Sequence, residues 1–110
     1  LWLLNSHSLR QHAAKTSVAK GREQAEAYYE LALGDLAARR FQLAEQGFDR
    51  AMDLGDATTR QQVLKVYSRF MHLDLDGKLG LVAVLEGLPP DAGVPTWLTK
   101  FLRSIITQSN

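Results

Sequence analysis

The side chains able to ligate, titrate or attack are few in this chain, and they are scattered. It has three histidines, His7, His12 and His72, and no cysteine. The missing thiols remove disulfides, thiolate zinc sites, iron–sulfur ligation and cysteine nucleophiles together. His7 and His12 are five residues apart and do not stack on one helix face, so no pair has histidine metal-site spacing. Ser6-His7-Ser8 sets hydroxyls beside an imidazole, but in a polar flank with no pocket implied, whereas catalysis needs a dry, preorganised site. Asp74-Leu75-Asp76-Gly77 matches the start of a calcium loop. With Gly77 as the sharp-turn glycine, however, the first ligand falls on His72 and the closing acid on Ala83, and neither supplies the oxygen that calcium requires. We therefore expect a polar turn there. No glycine-rich phosphate loop and no nucleophile elbow occur. The expectation is no catalytic residue, no metal, no cofactor and no small-molecule substrate, hence not an enzyme.

The elements that would position side chains are helical throughout. A chain of 110 residues suffices for one domain with a modest core, and 45% apolar with 23% charged residues is the balance of a soluble globular protein. A net charge of +1 argues against a dedicated nucleic-acid binder. The chain opens on Leu1 rather than Met, so we expect a processed chain or a fragment. Leu1-Trp2-Leu3-Leu4 is too short to cross a bilayer. It fits either the last turn of a membrane anchor, with Trp2 at the interface, or an apolar end folded back on the core. Residues 1–22 form a basic arm or helix with Arg10, Lys15, Lys20 and Arg22 and no acid, and Gly21 is expected to interrupt or loosen any helix running onward.

Residues 23–110 are expected to form the helical domain. Glu23–Ala37 places apolar residues at Ala25, Tyr28, Tyr29, Leu31, Ala32, Leu33, Leu36 and Ala37, with acids in its first half. After a tight turn at Ala38–Arg40, Phe41–Leu54 repeats the signal, and Gly55 sits in the usual glycine stop position. Asp56, Thr58 and Thr59 are alternative caps for a third helix, Arg60–Leu73. Lys78–Glu86 reads as a short apolar helix, with a strand as the alternative. Pro89 and Pro90 forbid continuation, and Pro95 suits the start of a last helix, Thr96–Thr107. There Trp97, Leu98, Phe101, Leu102, Ile105 and Ile106 follow an amphipathic period. Two roles fit: a helix capping the open end of a stack, or an exposed apolar stripe of Trp97, Phe101 and Ile105 for a partner or membrane surface.

The order Tyr28-x-x-Leu31-Ala32, then Phe41-x-x-Ala44-x-x-x-Phe48-x-x-Ala51, closing with Met52-Asp53-Leu54-Gly55-Asp56, resembles one tetratricopeptide repeat. Small Ala44 and Ala51 allow close helix approach, and Tyr28, Leu31, Phe41 and Phe48 are expected to fill the space between the helices. Asp35 and Arg39 depart from the pattern, and Asp56 replaces its terminal proline. Tyr67, Phe70, Met71 and Ala83 echo Tyr28, Leu31, Ala32 and Ala44 at a shift of 39, which resembles a degenerate second repeat. The resemblance implies an all-α, right-handed hairpin array of about five to six helices with a C-terminal capping helix. It implies a protein-interaction module, an adaptor, assembly factor or chaperone-like subunit, gripping a peptide or helix in a groove. The groove positions it implies are Glu26, Tyr29, Leu33 and Leu36, with plain core packing as the alternative for both leucines. The family's carboxylate clamp is not recognisable, since the only asparagines are Asn5 and Asn110. The expected partner is another protein or a second copy of the chain. The expected location is cytoplasmic; if Leu1–Leu4 ends an anchor, the chain is instead the periplasmic or extracytoplasmic soluble part of a membrane-anchored complex subunit or sensor. A nucleic-acid-binding domain using Arg10, Lys15, Lys20, Arg22, Arg39 and Arg40 is the weakest alternative, because of the near-zero net charge.

Overall fold

The structure is a computed structural model and describes residues 18–109. Five α-helices follow one another: α1 (Val18–Ala37), α2 (Phe41–Leu54), α3 (Thr59–His72), α4 (Leu75–Glu86) and α5 (Thr96–Ser109), with a 3-10 turn at Pro90–Ala92. No strand occurs among the described residues, so the segment around Leu79–Leu85 is helical. The molecule is a slab of 47 × 33 × 20 Å, its short dimension close to two helix diameters.

The first hairpin is built on small residues. A Cβ added at Gly47 would lie 2.8 Å from the Ala32 Cβ, one at Gly55 2.8 Å from the Ala25 Cβ, and one at Gly21 3.2 Å from the Leu54 carbonyl. With Ala44 and Ala51 fully buried, these residues bring the two backbones together along the length of α2. Gly21 therefore does not break α1, which runs through it from Val18 and across the 22/23 boundary. Gly55 ends α2, but its backbone is extended at φ −144°, so close approach to Ala25 explains the glycine better than a left-handed cap does.

Between the helices Arg39 takes the left-handed conformation, φ 63°. The Arg39 amide donates to the Leu36 carbonyl at 3.0 Å and the Arg40 amide to the Asp35 carbonyl at 2.8 Å, a Schellman ending. The Arg40 Nε also donates to the Asp35 carboxylate at 2.8 Å, which gives Asp35 a role in the turn.

One of the three candidate caps for α3 is in place, and the expected turn before α4 is corrected. The α3 cap is Thr58, whose side chain accepts from the Gln61 amide while the Gln61 side chain accepts from the Thr58 amide, a reciprocal capping box. Asp74-Leu75-Asp76-Gly77 is no free turn: Asp74 caps α4, accepting from the Gly77 amide at 2.8 Å, and the next three residues form the helix's first turn. At the far end α5 begins at Thr96, just after Pro95, and the Leu98 amide donates to the Pro95 carbonyl at 3.1 Å.

The core has two parts joined by α3. Ala32, Ala44 and Phe48 form one, with Tyr29, Leu33, Leu36 and Leu64 packed on it. Val66, Phe70, Leu81, Val82, Leu85, Leu98, Leu102 and Ile106 form the larger one between α3, α4 and α5. Leu31 does not fill the first hairpin as expected: it is 65% exposed, because the interhelical face of α1 is occupied by Ala25 and Ala32.

Candidate functional site

The groove-facing residues implied by the resemblance all lie on α1, but they have different surroundings. Leu33 and Leu36 are half-buried and pack against the Ala32–Ala44–Phe48 cluster. The Tyr29 ring meets Phe48 edge-on, with centroids 5.8 Å apart. Glu26 is exposed. Glu26 and Tyr29 border a shallow recess of about 670 Å³, whose described lining is completed by Glu23, Ala27 and Glu30.

The apolar residues of α5 divide by face. Leu98, Leu102 and Ile106 are buried against α3 and α4, and Ile105 is half-buried at their edge. Trp97 and Phe101, one turn apart, remain 54% and 45% exposed. The helix thus covers the core and also keeps an aromatic pair outside, although Ile105 belongs more to the covered side.

That pair is one end of a ridge across three helices. The rings of Trp97 and Phe101 lie 6.5 Å apart at 65°. Phe101 meets Tyr67 of α3 at 6.2 Å and 33°, and Tyr67 meets Phe41 of α2 at 6.2 Å and 85°. Steep inclinations at both ends leave the ridge corrugated, with no flat row of faces for stacking bases. Sequence reasoning took Phe41 and Tyr67 as core alone. The only local hint was the phenol of Tyr67, an apolar body with a polar tip.

Beside the ridge, α2 and α3 meet through charges as well as apolar groups. The Lys65 ammonium, on a side chain only 5% exposed, donates to the Asp49 carboxylate at 2.8 Å. Glu45, nearly buried, accepts from Arg69 Nε at 2.6 Å and pairs with His72 Nε2 at 2.8 Å. These residues lock one helix to the next. His72 is therefore engaged with Glu45, and among the described residues no group of three or more histidines and acids is arranged to hold a metal.

On the outer side Arg103 of α5 clasps Glu86 of α4 through two hydrogen bonds of 2.7 Å. These bonds hold the Glu86 carboxyl below its ordinary value of 4.5 and raise Arg103. This clamp's contribution is therefore present above the ordinary glutamate range and fades as pH falls through the lowered value.

No protein-family model matches this chain, and neither a curated protein sequence nor a solved structure matches it significantly. Function has therefore to be inferred from the local geometry. Among the described residues no helix is long and apolar enough to cross a membrane. Leu1–Leu4, the basic residues Arg10 and Lys15, and the histidines His7 and His12 lie outside the described residues.

Proposed function

We propose that this chain is a protein-interaction module, a tetratricopeptide-like helical array that holds a partner protein on its surface. The observation that carries the reading is the aromatic ridge Phe41–Tyr67–Phe101–Trp97, in which Phe101 and Trp97 stay about half exposed although a covered core lies directly beneath. Exposed aromatic groups on rigid elements are the side chains from which binding hot spots are built, because they offer a large apolar area at little conformational cost. The small-residue seam between α1 and α2 supports the array reading, since close hairpins of this kind stack side by side. The polar seam on Glu45 and Lys65 keeps α2 and α3 in fixed register, so the ridge is held in shape before a partner arrives.

The test is affinity capture from the native host with three baits: the unaltered chain, Trp97→Ala/Phe101→Ala, and Tyr29→Ala/Leu33→Ala. The ridge variant is expected to retain its helicity by circular dichroism and to lose at least about tenfold of the captured partner. If capture is unchanged by the ridge variant but lost with the α1 variant, the partner sits on the α1 groove and the ridge reading is wrong.

A further inference from the structure

Two of the three helices that carry the ridge, α3 and α5, bear charge of one sign, whereas α2, which gives Phe41, bears Glu45, Asp49, Arg50 and Asp53. Neither α3 nor α5 contains an Asp or a Glu: their charged residues are Arg60, Lys65, Arg69 and His72 on α3, and Lys100 and Arg103 on α5. Lys65, Arg69, His72 and Arg103 are engaged by Asp49, Glu45 and Glu86 of the neighbouring helices. Arg60 and Lys100 are exposed. Lys100 immediately precedes Phe101, and Arg60 lies two turns before Tyr67 on one face of α3.

The same molecule carries a complementary surface on α1. On the outer side of that helix, Glu23, Glu26 and Glu30 are exposed together with Ala27 and Leu31, and the basic residues of the helix, Lys20 and Arg22, precede them in its first turns. Leu31 is the most exposed of the large apolar residues. It stands one turn from Ala27, beside the open recess of about 670 Å³ bordered by Ala27, Tyr29 and the three glutamates.

We propose that the acidic, apolar outer face of α1 in one copy docks on the cationic aromatic ridge of the next copy. This rests on the reading of the ridge as a protein-docking surface and names a second copy of this chain as its occupant. Trp97 enters the α1 recess, Leu31 packs against Phe101, and Lys100 and Arg60 face the glutamates. The two surfaces are different, so the contact is head to tail and leaves one free surface at each end of the assembly.

Sedimentation of the full chain over a range of concentrations tests this. Leu31→Arg blocks the acidic face and Phe101→Glu blocks the ridge. Trp97→Glu serves as a second ridge variant, since Trp97 is the more exposed ring. The unaltered chain is expected to form oligomers that grow with concentration and weaken as salt is raised. Each variant alone should associate at least about tenfold more weakly. An equimolar mixture of Leu31→Arg with either ridge variant should form dimers and nothing larger, because each species retains the surface that the other lacks. A chain that stays monomeric at all concentrations overturns the proposal. So does an oligomer that survives both variants, or a mixture that yields no dimer while the unaltered chain still assembles. If the chain stays monomeric but the ridge variant loses a captured protein, the occupant is another protein, and the docking function stands without self-association.

Discussion

At the scale of single residues, the interface between α2 and α3 depends on charges held nearly out of water. Lys65 has an ammonium beside Asp49 and almost no exposed side chain. Removing both charges of such a pair costs little, whereas removing one leaves the other desolvated. Asp49→Ala is therefore expected to destabilise the fold by on the order of 3 kcal/mol, because it strands the buried ammonium, and Lys65→Met by less, because the Asp49 side chain is 26% exposed and keeps part of its hydration. Urea unfolding of the two variants checks this, and equal losses would show that the pair, rather than the lone charge, sets the energy. Sequence inspection found no role for either residue. Charges sixteen positions apart become partners only when two helices are in register. The same holds for Glu45, which joins Arg69 and His72 through a spacing that no local motif describes.

At the scale of elements, glycine has opposite meanings in neighbouring helices. Gly34 faces open space, and a Cβ there meets nothing within 4 Å. Gly34→Ala should raise stability by about 0.5–1 kcal/mol through helix propensity alone. Gly47 lies against Ala32, so Gly47→Val must force the hairpin apart and should cost about 1–3 kcal/mol. Thermal melts of the two variants should move in opposite directions. The helices were largely legible because period, caps and prolines act locally. The departures were also local: Asp74 was capping rather than turning, and Gly21 packed rather than broke. A turn and a helix start use the same Asp and Gly chemistry, and the conformation of the residues after the glycine decides between them.

At the scale of the whole molecule, α3 belongs to both parts of the core. It gives Leu64 to the cluster around Phe48 and Val66 and Phe70 to the cluster with α4 and α5. Phe48→Ala and Phe70→Ala, both at fully buried positions, should each cost about 3–5 kcal/mol. Calorimetry should show one transition in either variant, since neither cluster keeps its partners without α3. Two separate transitions would mean that the hairpin and the rest fold independently. The sequence by itself determined that the chain is helical, that prolines and turn residues separate most of its helices, and that α5 is amphipathic, because these follow from spacing and backbone chemistry within a few residues. It could not determine that Leu31 points outward, that Glu45 is the joint between α2 and α3, or that Phe41 and Tyr67 extend the pair Trp97 and Phe101 into a ridge. Those are contacts between helices distant in the chain. Only tertiary packing, through the close approach allowed by small residues in one hairpin and the cover given by α5 to the other core, decided which apolar faces were buried and which remained at the surface.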